Sequence, residues 1–170
     1  FWRDAANPRG LWRRTTLEQY KQPSPEWEVV LDLDALAAAE DENWVWAGAS
    51  CLRPAYERCL VNLSRGGADA TVTREFDVPS KAFVDGGFER PEAKGGMQWI
   101  DADSVYVYTD FGEGSMTESG YPRTVRQWSR GTPMAEATTV FEGCEDDMYI
   151  AGFRDHTPGF VRDFVSRTLA

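Results

Sequence analysis

Short runs of aromatic and β-branched residues, separated by turns, recur along this chain with a period of about 50 residues. The runs that open a group begin near Trp44, Met97 and Asp147, and those that close one stand near Trp27, Lys81 and Thr138. Each complete group contains four strand-like runs. A four-stranded sheet cannot bury both of its faces alone, but sheets stacked around an axis cover one another. The period therefore predicts an all-β chain built from the blades of a β-propeller.

The clearest group runs from residue 97 to residue 142. Its segment Ser104–Thr109 is almost unbroken in apolar and aromatic residues, which is typical of a strand covered on both faces. Asp110–Pro122 is rich in Gly, Ser and Thr and predicts a long loop, and Thr124–Ser129 predicts a more polar strand. A β-sandwich would also contain short strands, but it does not predict a four-strand period. The propeller is favoured over the sandwich.

We expect four consecutive pieces of one propeller domain: a partial blade over 1–31, complete blades over 44–84 and 97–142, and the start of another blade over 147–170. Propellers close with roughly four to eight blades, so these strands cannot close a ring. Unpaired edges should remain at the terminal sheets and favour self-association. Two further local predictions concern single segments: a helix over Asp32–Glu40, and a strand with alternating apolar and polar positions over Ala70–Val78.

The charge of the chain limits its partners. A net charge of −10 and a pI of about 4.6 argue against nucleic acid and against an anionic membrane surface, because both require a positive patch. No apolar run approaches the roughly 18 residues of a membrane span. The chain begins at Phe1, within what reads as the end of a strand, so we expect a piece of a longer protein. The sequence leaves the compartment open between cytoplasm and periplasm.

The three cysteines are Cys51, Cys59 and Cys144. Cys51 and Cys59 flank a turn symmetrically, and a disulfide between them would indicate an oxidising compartment. Two small buried thiols are the favoured interpretation, and the bridge is the alternative.

No arrangement for catalysis or metal binding is recognisable in the sequence. A nucleophile elbow needs G-x-S-x-G, and this motif is absent. The single histidine, His156, lies beside Asp155 in a turn, where the aspartate is expected to shape the turn rather than serve a catalytic relay. The acidic run Glu145–Asp147 lacks EF-hand spacing, and the sequon at Asn62 falls in a strand that should be buried. We therefore expect no catalytic residue, metal or cofactor.

Several segments resemble one known family. They are FWRDAANPRGLWRRT, WEVVLDLDAL, WVWAGASCL, CLVNLSRGGADATVTREFD and TDFGEGSMTESGYPR, in this order along the chain. The series is similar to the N-terminal propeller of the prolyl oligopeptidase family of serine peptidases, in a bacterial branch. The resemblance implies part of a seven-bladed propeller that covers a separate α/β-hydrolase domain, which holds the catalytic residues, and that admits short peptides to it.

The resemblance also implies which surface meets the hydrolase domain. The longer connections, among them Arg65–Asp69, Asp85–Gly96 and Asp110–Pro122, should emerge on one side of the propeller, and function concentrates on such loops. Gly67-Ala68-Asp69 resembles a family turn whose aspartate lies near the substrate cleft, so Asp69 is the one residue assigned to the interdomain or substrate-facing surface. Lys94-Gly95-Gly96 does not match the family's apolar substrate-lining position. The alternative function is a stand-alone propeller module that binds a peptide or a carbohydrate.

Overall fold

Antiparallel β-strands dominate the computed structural model, which describes residues 1–170. The thirteen strands are β1 (Leu11–Arg14), β2 (Glu28–Asp32), β3 (Trp44–Cys51), β4 (Arg58–Arg65), β5 (Thr71–Asp77), β6 (Ala82–Phe83), β7 (Glu89–Ala93), β8 (Gly96–Asp101), β9 (Ser104–Tyr108), β10 (Thr124–Ser129), β11 (Thr138–Glu142), β12 (Tyr149–Asp155) and β13 (Arg162–Thr168). The helices are α1 (Leu17–Tyr20), α2 (Leu33–Glu40) and a 3₁₀ turn at Met134–Glu136. The prediction of an all-β chain is confirmed.

The strands form four sheets in chain order. The first sheet contains β1 and β2, with a single bridge from Trp2 to Leu11 beside them. The second contains β3, β4 and β5, followed by β6 and β7. The third has the order β8-β9-β10-β11, and the fourth pairs β12 with β13. Apart from β6 and β7, which both pair with β5, successive strands lie side by side within each sheet, which is the meander expected of propeller blades.

Apolar side chains fill the spaces between neighbouring sheets. One buried cluster joins Val30 of the first sheet and Leu33 of α2 to the second sheet. Another joins Leu60 of β4, and Phe88 in the connection between β6 and β7, to the third sheet. A third cluster joins the third sheet to Ile150 of β12. Every residue of β9 is buried, in agreement with the unbroken apolar run. Separate cores between successive sheets fit a partial propeller, whereas a sandwich would have one core between two sheets.

The outermost strand of the second sheet differs from its prediction. We expected one short strand near Lys81 and a loop over residues 85–96, but both β6 and β7 pair with β5. The connection between them, residues 84–88, lies opposite Glu75, whose backbone N–H donates to the Phe88 carbonyl and whose carbonyl accepts from the Val84 amide. The sheet therefore extends to Ala93, beyond the predicted blade limit at residue 84.

Two short local elements also differ from the sequence analysis. The polar connection after β1 contains α1, whose N-cap Thr16 accepts a hydrogen bond from the Gln19 amide. Cys51 and Cys59 lie opposite each other in the β3–β4 register and form a disulfide, in place of the two free thiols that the sequence favours. The helix predicted over Asp32–Glu40 is present as α2, and Asp32 is its N-cap, with its side chain accepting from the Ala35 amide.

Candidate functional site

Three polar side chains from different connections meet on the face that carries the longer loops. Asp69 belongs to the turn after β4, Lys94 follows β7, and Tyr121 lies in the long loop before β10. The Tyr121 hydroxyl donates to Asp69 Oδ2 at 2.5 Å, and Lys94 Nζ lies 3.3 Å from the same oxygen. Lys94 Nζ also lies 4.3 Å from the centroid of the Tyr121 ring. We call Asp69, Lys94 and Tyr121 the loop-face cluster.

Glycines shape the chain beside Asp69 and Lys94. Gly66 and Gly67 both have positive φ angles, 66° and 86°, which allow the chain to reverse just before Asp69. Gly95 follows Lys94 with φ of 124°, and a Cβ there would stand 2.0 Å from the Tyr108 carbonyl oxygen. A side chain at residue 95 is therefore excluded both by backbone conformation and by space.

The electrostatics of the loop-face cluster follow from its hydrogen bonds. The bond from the Tyr121 hydroxyl and the contact with Lys94 lower the pKa of Asp69. The same bond to the Asp69 carboxylate raises the pKa of Tyr121. Since the carboxylate is stabilised in its charged form, Asp69 presents a negative charge at this surface.

A cavity of about 400 Å³ opens beside the loop-face cluster. Asp69 and Tyr121 line one side, and Met148 and Tyr149 at the start of β12 line the other. Ser119 connects the two sides by donating to the Met148 carbonyl at 2.6 Å. The Tyr121 and Tyr149 rings meet edge to face, with centroids 5.5 Å apart. The cavity thus offers aromatic walls and one carboxylate.

A fully buried arginine supports the connection that carries Lys94. Arg90 donates to the Ala93 carbonyl at 2.9 Å and to the hydroxyls of Thr71 and Thr73 at 2.7 and 3.1 Å. It forms no ion pair, and its Nε has no hydrogen-bond partner. Burial lowers the pKa of Arg90 to about 10. The guanidinium therefore remains charged at neutral pH and holds β7 against β5.

The residues rejected as catalytic or metal-binding have structural contacts instead. His156 lies near the opposite ends of the strands, where its Nε2 stands 3.3 Å from the Trp99 carbonyl oxygen, and no hydrogen bond joins its ring to a serine or a carboxylate. Asp147 is buried, pairs with Arg167 at 2.9 Å and accepts from the Cys144 amide. The Asn62 side chain accepts from the Thr73 hydroxyl within the second sheet.

No group of three or more His, Cys, Asp or Glu side chains is arranged to hold a metal ion. None of the helices combines the length and apolar content needed to cross a bilayer.

Comparison with known proteins decides the family. The family model described as the N-terminal β-propeller domain of prolyl oligopeptidase matches residues 1–158. The chain belongs to the prolyl oligopeptidase family. The resemblance noted in the sequence is confirmed, and so is the partial propeller fold.

Individual proteins that the chain is similar to agree with this assignment. An uncharacterized peptidase of Sinorhizobium fredii is 42% identical over 148 residues, which cover 87% of this chain and 20% of that protein. An uncharacterized peptidase of Rickettsia prowazekii is 33% identical over 84% of this chain and 21% of its own length. The solved structure of a post-proline cleaving enzyme from Rickettsia typhi matches with a TM-score of 0.92 and 31% identity, over 99% of this chain and 26% of that one. The chain therefore spans about a fifth of the length of the curated relatives it matches.

Sequence reasoning identified only one member of the loop-face cluster. The resemblance to the family turn places Asp69 on this face, whereas the sequence assigns no role to Lys94 or Tyr121. The signal for Tyr121 was present, since it lies within the Ser119-Gly120-Tyr121-Pro122-Arg123 segment that carries the resemblance. No local pattern indicated that residues 69, 94 and 121 would meet.

Proposed function

We propose that this chain is the non-catalytic propeller segment of a prolyl-oligopeptidase-like serine peptidase. In this role it docks on a separate α/β-hydrolase domain of the same protein and controls the access of peptides to it. The observation that carries the proposal is the match over 99% of this chain to the post-proline cleaving enzyme from Rickettsia typhi. The identity of 31% and the TM-score of 0.92 support the same arrangement of this segment in the parent protein.

The loop-face cluster supports the docking part of the proposal. Asp69 is about half exposed and carries a negative charge, so a basic group of the hydrolase domain can reach it. The neighbouring cavity has aromatic walls, which suit contact with peptide side chains. Hydrogen bonds from Tyr121 and Lys94 fix the carboxylate before any partner arrives, which reduces the entropy lost on docking.

This chain contains no recognisable set of serine-peptidase catalytic residues, which supports a separate hydrolase domain as the site of catalysis. The chain has one histidine and no nucleophile elbow, and that histidine is hydrogen-bonded to no serine or carboxylate. A serine peptidase requires such a relay together with an oxyanion hole. The chemistry is therefore assigned to the hydrolase domain.

The test compares the full-length protein with the 170-residue chain alone. We expect the full-length protein to cleave a chromogenic peptide after proline and the chain alone to show no turnover. The gene downstream of residue 170 should also encode a G-x-S-x-G motif between a strand and a helix. A reading frame that ends within a few more blades would instead favour the stand-alone binding module. If the chain alone cleaved the peptide and His156→Ala abolished this cleavage, the proposal that the propeller segment is non-catalytic would be contradicted.

A further inference from the structure

A fully buried arginine, Arg90, contacts the chain beside each member of the loop-face cluster. In the second sheet, its Nη2 donates to the Thr71 hydroxyl at 2.7 Å, and Thr71 stands two residues after Asp69. Its Nη1 donates to the Ala93 carbonyl at 2.9 Å, and Ala93 directly precedes Lys94. One guanidinium therefore holds the chain next to both charged members of the cluster.

The same guanidinium reaches across to the third sheet. Arg90 Nη1 lies 3.4 Å from the hydroxyl of Thr109, which is also buried. Thr109 follows β9 and begins the connection that contains Tyr121. At the surface, the Tyr121 hydroxyl meets Asp69 across the same boundary between sheets. Arg90 thus contacts all three connections whose side chains form the loop-face cluster.

Backbone pairing alone does not fix this part of the second sheet. In the register of β5 and β7, Thr71 pairs with Ala93. Thr73 pairs with Arg90, so β7 has one more residue than β5 between the two pairs. Such a bulge disrupts the ladder locally, and Pro91 within it has no N–H to donate. The Arg90 guanidinium spans the bulge, because it donates to acceptors at both of its ends.

The charge of Arg90 has no counter-ion. Its hydrogen bonds all end on hydroxyl or carbonyl oxygens, and its Nε has no partner. Burying an unpaired cation is costly, and an apolar side chain would cover the strand without that cost. A guanidinium offers what an apolar side chain cannot, namely several donors held in one plane. This arrangement favours a role in placing the connections over a role in stability alone.

We propose that Arg90 is the positioning residue of the docking surface. It fixes the ends of the three connections and so sets the distances among Asp69, Lys94 and Tyr121. The Asp69 carboxylate is then held in one orientation before the hydrolase domain meets it, which lowers the entropy lost on docking. The inference rests on the proposed function for one point, that the loop-face cluster docks on the hydrolase domain.

The first measurement follows the contact between Asp69 and Tyr121 in the full-length protein. Tyr121 is replaced by 3-fluorotyrosine, whose fluorine NMR signal reports the ionisation of the phenol and which ionises at a milder pH than tyrosine does. The hydrogen bond to the Asp69 carboxylate raises the pKa of Tyr121, so the midpoint should lie above that of 3-fluorotyrosine in an unfolded peptide. Arg90→Lys keeps the charge but has all its donors on one nitrogen, and it should shift the midpoint toward the peptide value.

Glu75→Gln is the matched control for lost stability. Glu75 is also a buried residue of β5, but its side chain bonds to none of the three connections, so this variant should leave the midpoint unchanged. Thr71→Val removes one acceptor of Arg90 and should shift the midpoint in the same direction as Arg90→Lys. An unchanged midpoint in folded Arg90→Lys overturns the inference. If Arg90→Lys does not fold, an unchanged midpoint in Thr71→Val overturns it.

A second measurement compares kcat/KM for a chromogenic proline peptide in two backgrounds. With Asp69 present, Arg90→Lys should lower kcat/KM about three- to tenfold, as expected of a residue that acts through another. In Asp69→Asn the same substitution should have less than about a twofold effect, because the charge that Arg90 positions is already lost. A purely structural defect would lower kcat/KM by the same factor in both backgrounds, and that result overturns the inference. Absence of turnover in the full-length protein counts against the proposed peptidase function alone, since the fluorine measurement still decides the role of Arg90.

Discussion

Arg130 donates two hydrogen bonds to the carboxylate of Glu75, at 2.9 and 3.1 Å, across the boundary between the third and the second sheet. Glu75 is only 2% exposed, and it also accepts from the Phe88 amide at 2.9 Å and from Arg58 at 3.2 Å. The Arg130 guanidinium lies 4.5 Å from the centroid of the Phe88 ring. A single buried carboxylate therefore joins two sheets, and its charge is balanced by two arginines that reach it from the surface.

Replacement of this carboxylate should weaken the contact between the two sheets. We expect Glu75→Gln to lower the free energy of unfolding by about 2–3 kcal/mol, less than for a fully buried ion pair because the arginines remain partly solvated. Denaturant titration measures the loss. Glu89→Gln is the matched control, since Glu89 is exposed and forms no ion pair, and it should change stability by less than about 0.5 kcal/mol. Equal effects of the two substitutions would contradict this role of Glu75.

The same residue predicts a pH dependence of stability. Burial alone would raise the pKa of Glu75, but hydrogen bonds from Arg130 and Phe88 outweigh it, so the pKa lies below its ordinary value of 4.5. A carboxylate with a depressed pKa contributes its full stabilisation above the unfolded pKa and loses it as the pH falls through the folded pKa. The difference in stability between the unmodified protein and Glu75→Gln should therefore be constant at neutral pH and shrink below about pH 4.5. A difference that persists unchanged to pH 3 would contradict the assignment.

The positions of the strands could be predicted from the sequence, but the burial and the partners of their polar side chains could not. Periodicity located β3, β9 and β10 because their residues carry strong strand preferences. Thr73 and Glu75 occupy polar positions in the alternating pattern predicted over Ala70–Val78, yet both are buried. Their partners Arg90 and Arg130 come from elsewhere in the chain, and no local pattern could match them. In the connection between β6 and β7, the Phe88 amide likewise donates to the buried Glu75 carboxylate.

The disulfide predicts a difference between oxidised and reduced protein. Cys51 and Cys59 are separated by eight positions, and closing so short a loop stabilises a fold by about 2–3 kcal/mol in the chain-entropy model. Cys51→Ser with Cys59→Ser should lower stability by about this amount, whereas Cys144→Ser, which removes the exposed free thiol, should have little effect. Thiol titration of denatured protein should give one thiol before reduction and three after it. Three thiols without reduction would contradict the disulfide.

The fourth sheet predicts the behaviour of the isolated chain. Every residue of β13 is exposed, and its outer edge has no partner strand. Unpaired edges associate, so we expect the average mass in analytical ultracentrifugation to rise with the concentration of the chain. Val165→Lys should reduce this association, because a charge in an edge strand opposes pairing. Val140→Lys, in β11 at the outer edge of the complete four-stranded third sheet, is the control and should reduce it less. A monomer with a sharp, cooperative thermal transition would contradict the prediction.

Asp69 provides the most direct test of the proposed docking surface. Its carboxylate is held by Tyr121 and Lys94, yet about half of it is open to a partner. Asp69→Asn preserves the size of the side chain and removes its charge, so we expect kcat/KM of the full-length protein for a proline peptide to fall about tenfold, equivalent to about 1.4 kcal/mol of one charge-assisted interaction. Asp103→Asn is the control, because Asp103 is 87% exposed in the hairpin between β8 and β9, on the other face. Tyr121→Phe keeps the charge and loses one hydrogen bond, so its effect should be smaller than that of Asp69→Asn. If Asp69→Asn and Asp103→Asn both leave kcat/KM unchanged, Asp69 has only a structural role in the turn after β4, and the proposed docking role is wrong.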